Sequence, residues 1–230
     1  MKTVVLLSGG LDSTTVLAHA LYLGHTAHAV IVDYGQRHRR ELRSADEIAW
    51  HYKVPTSHVA IDPMAFAGAD SSQVGQMKSV PHGHYAAPSM KTTVVPNRNM
   101  ILIALAGAVA ESVGGDEVWY AAHAGDHPIY PDCRPEFALA AGLALFLGTV
   151  KGIRMEAPFV RLTKTDIARR AIQLHVPVEL TWSCYDPQLD EHPVDDHPTD
   201  VIHCGLCGTC VERREAFREA GLTDPTEYAR

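Results

Sequence analysis

Apolar runs of strand length alternate along the chain with segments whose apolar residues recur at helical spacing, and this predicts an α/β fold: a parallel twisted sheet flanked by helices. KTVVLL, from Lys2, reads as the first strand, and Val16, Leu17, Ala20 and Leu21 then share one helical face. HAVIVDY is a second strand ending near Asp33, followed by a helix carrying Leu42, Ala45, Ala49 and Tyr52. TSHVAI, from Thr56, is a short third strand. Over residues 62–96 the periodicity fails and glycine, proline, serine and histidine dominate, so a lid or specificity insert is expected there. Residues 97–112 read as a buried helix, DEVWYAA as a fourth strand, residues 134–147 as a helix and GIRMEAP as a fifth strand. Thr163 and Asp166 form a capping-box pair that opens a helix with Ile167, Ala168, Ala171 and Ile172 on its apolar face. After Val176 the pattern changes to loop, a cysteine cluster and one terminal helix. The expected division is a main domain over residues 1–180 and a C-terminal region, residues 181–230, packed on it.

Composition narrows the function classes. With 46% hydrophobic and 20% charged residues over 230 positions, the chain suits one sizeable globular domain. Its apolar runs are far short of a membrane span, and Met1 leads almost directly into a core strand, so the expected location is the cytoplasm. A net charge of −7 argues against direct nucleic-acid binding as the main mode, although QRHRR at residues 36–40 is a local basic patch.

The first strand runs into Ser8-Gly9-Gly10-Leu11-Asp12-Ser13-Thr14 and then a helix, the setting of an anion-binding turn. Gly9 and Gly10 permit close backbone approach, while Ser8, Ser13 and Thr14 add hydroxyls. The turn lacks the lysine of G-x-x-x-x-G-K-[ST], so γ-phosphoryl transfer by that machinery is not expected. Asp12, a carboxylate where phosphate should sit, either caps the helix or helps hold a Mg²⁺ that neutralises a polyphosphate.

CGLCGTC supplies Cys204, Cys207 and Cys210, and Cys184 lies upstream in TWSCYD. Four thiolates suit a closed, structural Zn²⁺ site; the same set could hold an iron–sulfur cluster, and His203 is a possible substitute for Cys184. Between Cys184 and Cys204 stand 19 residues rich in Asp, His and Pro. Cys133 stands apart and is expected to pack rather than react.

The turn SGGLDS in its strand–turn–helix setting resembles the loop of the PP-loop, or N-type ATP pyrophosphatase, superfamily. Together with VDYGQRHRRE, VVPNRNM, YPDCRPEF and TWSCY before the cysteine knuckle, in that order, it is similar to the 7-cyano-7-deazaguanine synthase (QueC) family from about Lys2 to Arg214. The resemblance implies a Rossmann-like adenine nucleotide α-hydrolase fold with a C-terminal four-cysteine zinc site. It implies a C–N bond-forming ligase that converts 7-carboxy-7-deazaguanine and ammonia to the nitrile through adenylates, with Mg·ATP as co-substrate, AMP and pyrophosphate as products, and a possible homodimer. Ser8 to Thr14 would grip the polyphosphate, and Asp12, Ser13 and Lys164 would be the catalytic residues. Lys164 could equally be a solvated helix start. Asp33 and Arg37 are expected on the adenosine side, with a charged loop as the alternative. Asp132 or Arg134 is expected to read the base or its 7-substituent, with a capped turn before the next helix as the alternative, and Arg98 and Asn99 open the buried helix towards the same crevice. The rival readings are a PP-loop tRNA sulfurtransferase, which should bring an RNA-binding extension or a redox cysteine pair, and a zinc-stapled nucleotide-binding regulatory domain without turnover.

Overall fold

A computed structural model describes residues 1–74, 78–189 and 201–229. Its centre is a five-stranded parallel sheet of order β3-β2-β1-β4-β5, formed by β1 (Lys2–Leu6), β2 (Thr26–Asp33), β3 (Thr56–Ala60), β4 (Glu117–Trp119) and β5 (Arg154–Glu156). The register sets Val5 beside Ala29 on one side and Trp119 on the other. All five expected strands are present, with β4 and β5 cut to three residues each. The chain builds outward from β1 through β2 to β3 and then returns to β4 on the other side, so the order reverses beside β1. A crevice opens at the carboxyl ends of strands at such a reversal.

Helices cover both faces. On one, α1 (Leu11–Tyr22), α2 (Arg40–His51), α5 (Lys164–Gln173) and α6 (Gly208–Ala220) bury Leu17, Ile48, Ile167 and Phe217 against the sheet. On the other, α3 (Arg98–Val113) and α4 (Pro135–Gly148) bury Ile103, Ala106 and Leu145. The capping box of α5 is realised: Asp166 N donates to Thr163 Oγ1 (3.2 Å) while the Asp166 carboxylate accepts from Thr163 N (3.0 Å). The terminal helix is integral to the first layer, since Ala216 and Phe217 belong to the same core as α5.

The irregular stretch 62–96 is packed down rather than open in its described parts. Phe66, Val74, Val80, Tyr85 and Met90 are buried, and two short 3₁₀ turns, Pro63–Phe66 and Pro88–Thr93, shape it. A short antiparallel pair, β6 (Gln188–Leu189) with β7 (Val201–Ile202), closes the base of the long cysteine spacer. Residues 190–200 of that spacer lie outside the described residues.

Candidate active site

At the end of β1 the backbone must turn sharply to start α1. Gly9 does so at φ +82°, and a Cβ there would meet Glu41 O at 2.3 Å and Ala45 N at 2.7 Å. The turn is therefore pressed onto the backbone of α2, a contact only glycine permits. α1 starts at Leu11 with Gly10 as its N-cap and no side-chain cap, so its first N–H groups face the crevice and Asp12 does not cap the helix. Ser8 Oγ and Ser13 Oγ lie 3.0 Å apart at the mouth of the turn. Thr14 Oγ1 donates to Gly10 O (2.8 Å) and Leu11 is buried in the core, so these two hold the turn rather than face a ligand.

Asp12 reaches across the crevice to the start of α5, where Lys164 Nζ donates to its Oδ2 at 2.7 Å. Lys164 also lies 3.4 Å from Glu212 Oε2 on α6. His123, from the loop after β4, completes the group: its Nε2 is 3.4 Å from Asp126 Oδ1 and 3.8 Å from Asp12 Oδ2 and from Glu212 Oε1. Because His123 Nδ1 accepts from Gly125 N (3.1 Å), the neutral ring carries its proton on Nε2, facing the carboxylates. Tyr85, from the irregular stretch, donates its hydroxyl to Asp126 Oδ1 (2.9 Å).

The charges settle one another. Burial alone would raise the Asp12 pKa, but the Lys164 ammonium, then His123, outweigh it and hold the carboxyl below its ordinary value. Burial likewise works against the Lys164 ammonium, and Asp12 followed by Glu212 outweighs it, so Lys164 is held protonated. Asp12 Oδ1 is buried and has no hydrogen-bond partner among the described residues, an orphaned hard oxygen that suits a Mg²⁺ ligand.

Two adjoining hollows make up the crevice. The first, about 150 Å³, is polar and holds Asp12, His123, Asp126, Lys164 and Glu212. The second, about 170 Å³, runs under the ends of β1 and β2 and is walled by Leu6, Val30, Val32, Leu102 and Tyr120. Ser8, Ser13, Arg98, Asn99 and Tyr185 border both. Arg98 Nη1 donates to Tyr34 Oη (3.1 Å), while Arg98 Nε and Tyr120 Oη are buried without a partner among the described residues, which marks donors for a ligand.

Glu41 borders the second hollow, and burial, opposed by Arg98 and by a hydrogen bond from Gln36, pushes its pKa up to about 7. A carboxyl raised on folding favours the folded state below its unfolded pKa and loses that contribution as pH rises through the folded value. Glu41→Gln therefore raises Tm more at pH 8 than at pH 5, checked by thermal melts at both; equal shifts would contradict the assignment.

Besides Leu11 and Thr14, sequence reading and geometry differ for four more expected site residues. The Asp33 carboxylate accepts from Gly35 N (3.0 Å) and pairs with Arg39, and Arg37 Nη1 donates to Lys78 O (2.7 Å); neither borders the crevice, where Tyr34 and Gln36 stand instead. Asp132 Oδ2 accepts from Asn99 N (2.9 Å) at the first turn of α3, so its carboxylate is taken up by that helix, and the turn before α4 has no side-chain cap. Arg134 Nε donates to His127 O (3.0 Å), also away from the hollows. Lys164, Asp12, Ser8, Ser13 and Arg98 do meet. His123, Asp126, Tyr85, Glu41, Tyr185 and Glu212 join them without having been singled out. The run HAGD, with a histidine and an aspartate three apart after a strand, was the one local signal. Cys133 packs as expected: burial pushes its thiol up, and it accepts from Asn99 Nδ2 at 3.2 Å.

The four remaining cysteines, Cys184, Cys204, Cys207 and Cys210, are buried with all their Sγ atoms within 4.8 Å of one another. Cys204 N and Asp186 N donate to Cys184 Sγ (3.3 Å each), and Leu206 N and Cys207 N donate to Cys204 Sγ (3.3 and 3.2 Å). Backbone donors around convergent sulfurs, with no disulfide among the five cysteines, fit a tetrahedral thiolate-bound ion such as Zn²⁺. His203 is not needed, since its Nε2 accepts from Ser183 N (3.1 Å).

A parallel sheet with its order reversing beside β1, a glycine turn there opening onto an uncapped helix and a four-cysteine cluster at the C-terminus define an α/β protein of the PP-loop type of fold. Comparison with known proteins agrees: the family described as queuosine biosynthesis protein QueC matches residues 2–221, and the chain belongs to it. A 7-cyano-7-deazaguanine synthase of Caldicellulosiruptor bescii is 44% identical over 99% of this chain and 97% of its own length. One of Methanoregula boonei is 42% identical over 99% of each chain. One of Archaeoglobus fulgidus is 42% identical over 98% of this chain and 89% of its own.

Proposed function

We propose that the chain is an ATP-dependent 7-cyano-7-deazaguanine synthase, a C–N bond-forming ligase of queuosine precursor synthesis that uses 7-carboxy-7-deazaguanine, ammonia and Mg·ATP. The observation that carries the reading is the uncapped turn of Ser8, Gly9, Gly10 and Ser13 facing the Asp12–Lys164 pair across one crevice. A carboxylate has no usable leaving group. Attack of its oxygen on the α-phosphorus of ATP makes an acyl adenylate and releases pyrophosphate, whose charge the turn's N–H groups and Lys164 receive. Ammonia then displaces AMP and leaves the amide. The amide oxygen attacks a second ATP, and loss of AMP with the protons on nitrogen gives the nitrile.

The apolar hollow suits a flat heterocycle and the polar one the reacting phosphates, with Arg98 on the border to meet the carboxylate. Asp12, through its orphaned oxygen, would share in holding Mg²⁺, which neutralises polyphosphate charge. The four cysteines would hold Zn²⁺ as a closed structural ion, and residues 181–230 would act as a zinc-holding region on a catalytic domain of residues 1–180. Starting from substrate labelled with ¹⁸O in both carboxyl oxygens, each nitrile formed should leave label in two AMP molecules. Unlabelled AMP would overturn the adenylate route. Arg98→Met should raise KM for the carboxylate substrate at least about tenfold, the size of a lost charged hydrogen bond, with a smaller change for ATP; equal losses would contradict its placement.

We further propose a cytoplasmic homodimer. Among the described residues no helix is long and apolar enough to cross a membrane, and five cysteines without a disulfide suit a reducing compartment. α4 carries no charge after Glu136 and exposes Leu139 (78%), Leu143 (58%), Phe146 (48%) and Leu147 (73%) in one stripe. Beside it β5 is the sheet edge. Two copies paired antiparallel about Met155 would set each Arg154 opposite the other's Glu156, a self-complementary match. Leu143→Glu with Leu147→Glu should convert a sedimenting dimer to monomer; an unchanged mass would contradict this face.

A further inference from the structure

The four-cysteine cluster and the phosphate turn are joined by four residues, 181–184. Trp182 N donates to Gly9 O at 2.8 Å, and the Trp182 carbonyl lies 3.5 Å from where a Cβ at Gly10 would stand, so this segment backs the turn itself. Trp182 Nε1 donates to Cys184 O at 3.0 Å, tying the same residue to a cysteine of the cluster. The indole packs on the His203 ring, centroids 4.2 Å apart, and lies under the Arg40 guanidinium at 5.4 Å. Ser183 N donates to His203 Nε2, one residue before Cys204.

Arg213 fixes the far side. It is completely buried on α6, three residues after Cys210. Its Nη1 donates to Thr181 Oγ1 (2.8 Å) and Ser183 Oγ (3.2 Å), its Nη2 to Val178 O (3.2 Å), and its Nε to the Asp224 carboxylate (3.2 Å). The segment is thus bonded to the turn through Trp182 N and to the cysteine-bearing chain through Ser183 N and the Thr181 and Ser183 hydroxyls. A segment so fixed at both ends has little freedom to move at one end alone.

We propose that residues 181–184 form a positioning strap, with Trp182 and Arg213 as positioning residues, through which metal held by the four cysteines and nucleotide held by the turn tighten one another's binding. This rests on the reading that the turn binds ATP. Ordering the cysteines around an ion fixes Cys184, Cys184 fixes the Trp182 backbone, and the Trp182 N–H holds Gly9 in its left-handed conformation with the N–H groups of α1 exposed. Coupling of this kind is reciprocal: whatever factor the ion adds to nucleotide affinity, the nucleotide adds to ion affinity.

The experiment uses the Zn²⁺-loaded full chain. ATP binding is first measured by calorimetry with an analogue bearing a methylene between the α and β phosphorus atoms. Zn²⁺ affinity is then measured at equilibrium against a chromogenic chelator, with and without saturating analogue and excess Mg²⁺. The proposal expects the analogue to tighten Zn²⁺ about fivefold, the size of one hydrogen bond's net contribution. Trp182→Phe, which keeps an aromatic ring and the backbone donor but loses the bond to Cys184 O, should still bind Zn²⁺ with unchanged stoichiometry, show a smaller coupling factor, and raise KM for ATP with kcat held. If the analogue binds and Zn²⁺ affinity does not move, the strap is overturned while the ATP reading stands. If the analogue does not bind, both fall.

Discussion

Lys164→Met should lower kcat/KM by about 100- to 1000-fold, the usual effect of removing one preorganised charge from a phosphoryl or acyl-transfer site. In this crevice Lys164 is the cation between Asp12 at 2.7 Å and Glu212 at 3.4 Å. Without it the two carboxylates face each other beside Asp126, and a polyphosphate entering the turn meets net negative charge. The same loss leaves carboxylates partly buried and unpaired. A fully buried pair broken on one side costs about 3–5 kcal/mol, and because Asp12 keeps 23% of its exposure the expected loss of stability is smaller, about 1–2 kcal/mol. Steady-state kinetics and a denaturant melt separate the two effects. The account expects a rate loss far larger than the stability loss explains, and activity within tenfold of wild type would remove Lys164 from the chemistry.

Gly9→Ala is the second large effect. The substitution combines a left-handed backbone, costing about 1–2 kcal/mol for any residue with a Cβ, with a contact at 2.3 Å to Glu41 O and 2.7 Å to Ala45 N. Neither neighbour is the flexible end of a side chain; both belong to the backbone of α2, so the turn itself must move. ATP affinity should fall at least about 100-fold, since the N–H groups that would face pyrophosphate shift with it. Gly24→Ala is the control: it has nearly the same φ, +79°, but nothing within 4 Å of its Cβ. It should cost the backbone strain alone and leave ATP binding intact. Equal ATP affinities in the two variants would mean that the turn is not the nucleotide grip.

How much of this was legible depended on the range of the signal. The strands and the glycine turn were readable because each is a local pattern, and the capping box of Thr163 and Asp166 formed as spelled. Asp12 and Lys164 could each be suspected alone, but their meeting could not, since 152 residues separate them. Glu212 gave no signal at all: it sits in an ordinary polar helix and reaches the crevice only because α6 packs beside α5. The loop after β2 shows a different difficulty. Tyr34 and Gln36 border the crevice while Asp33 and Arg37 do not, so the right segment was read with the opposite side-chain phase. Asp132 lay in a suggestive motif, yet its carboxylate is taken up by the first turn of α3, a need that arises only once α3 is packed beside it.

The most direct test of the central claim is mass spectrometry of the products formed when folded, Zn²⁺-loaded protein meets 7-carboxy-7-deazaguanine, ammonium and Mg·ATP. The account predicts the nitrile, with AMP and pyrophosphate accumulating at two of each per nitrile. Protein that binds ATP but returns the carboxylate unchanged, or stops at the amide with excess ATP present, would contradict it.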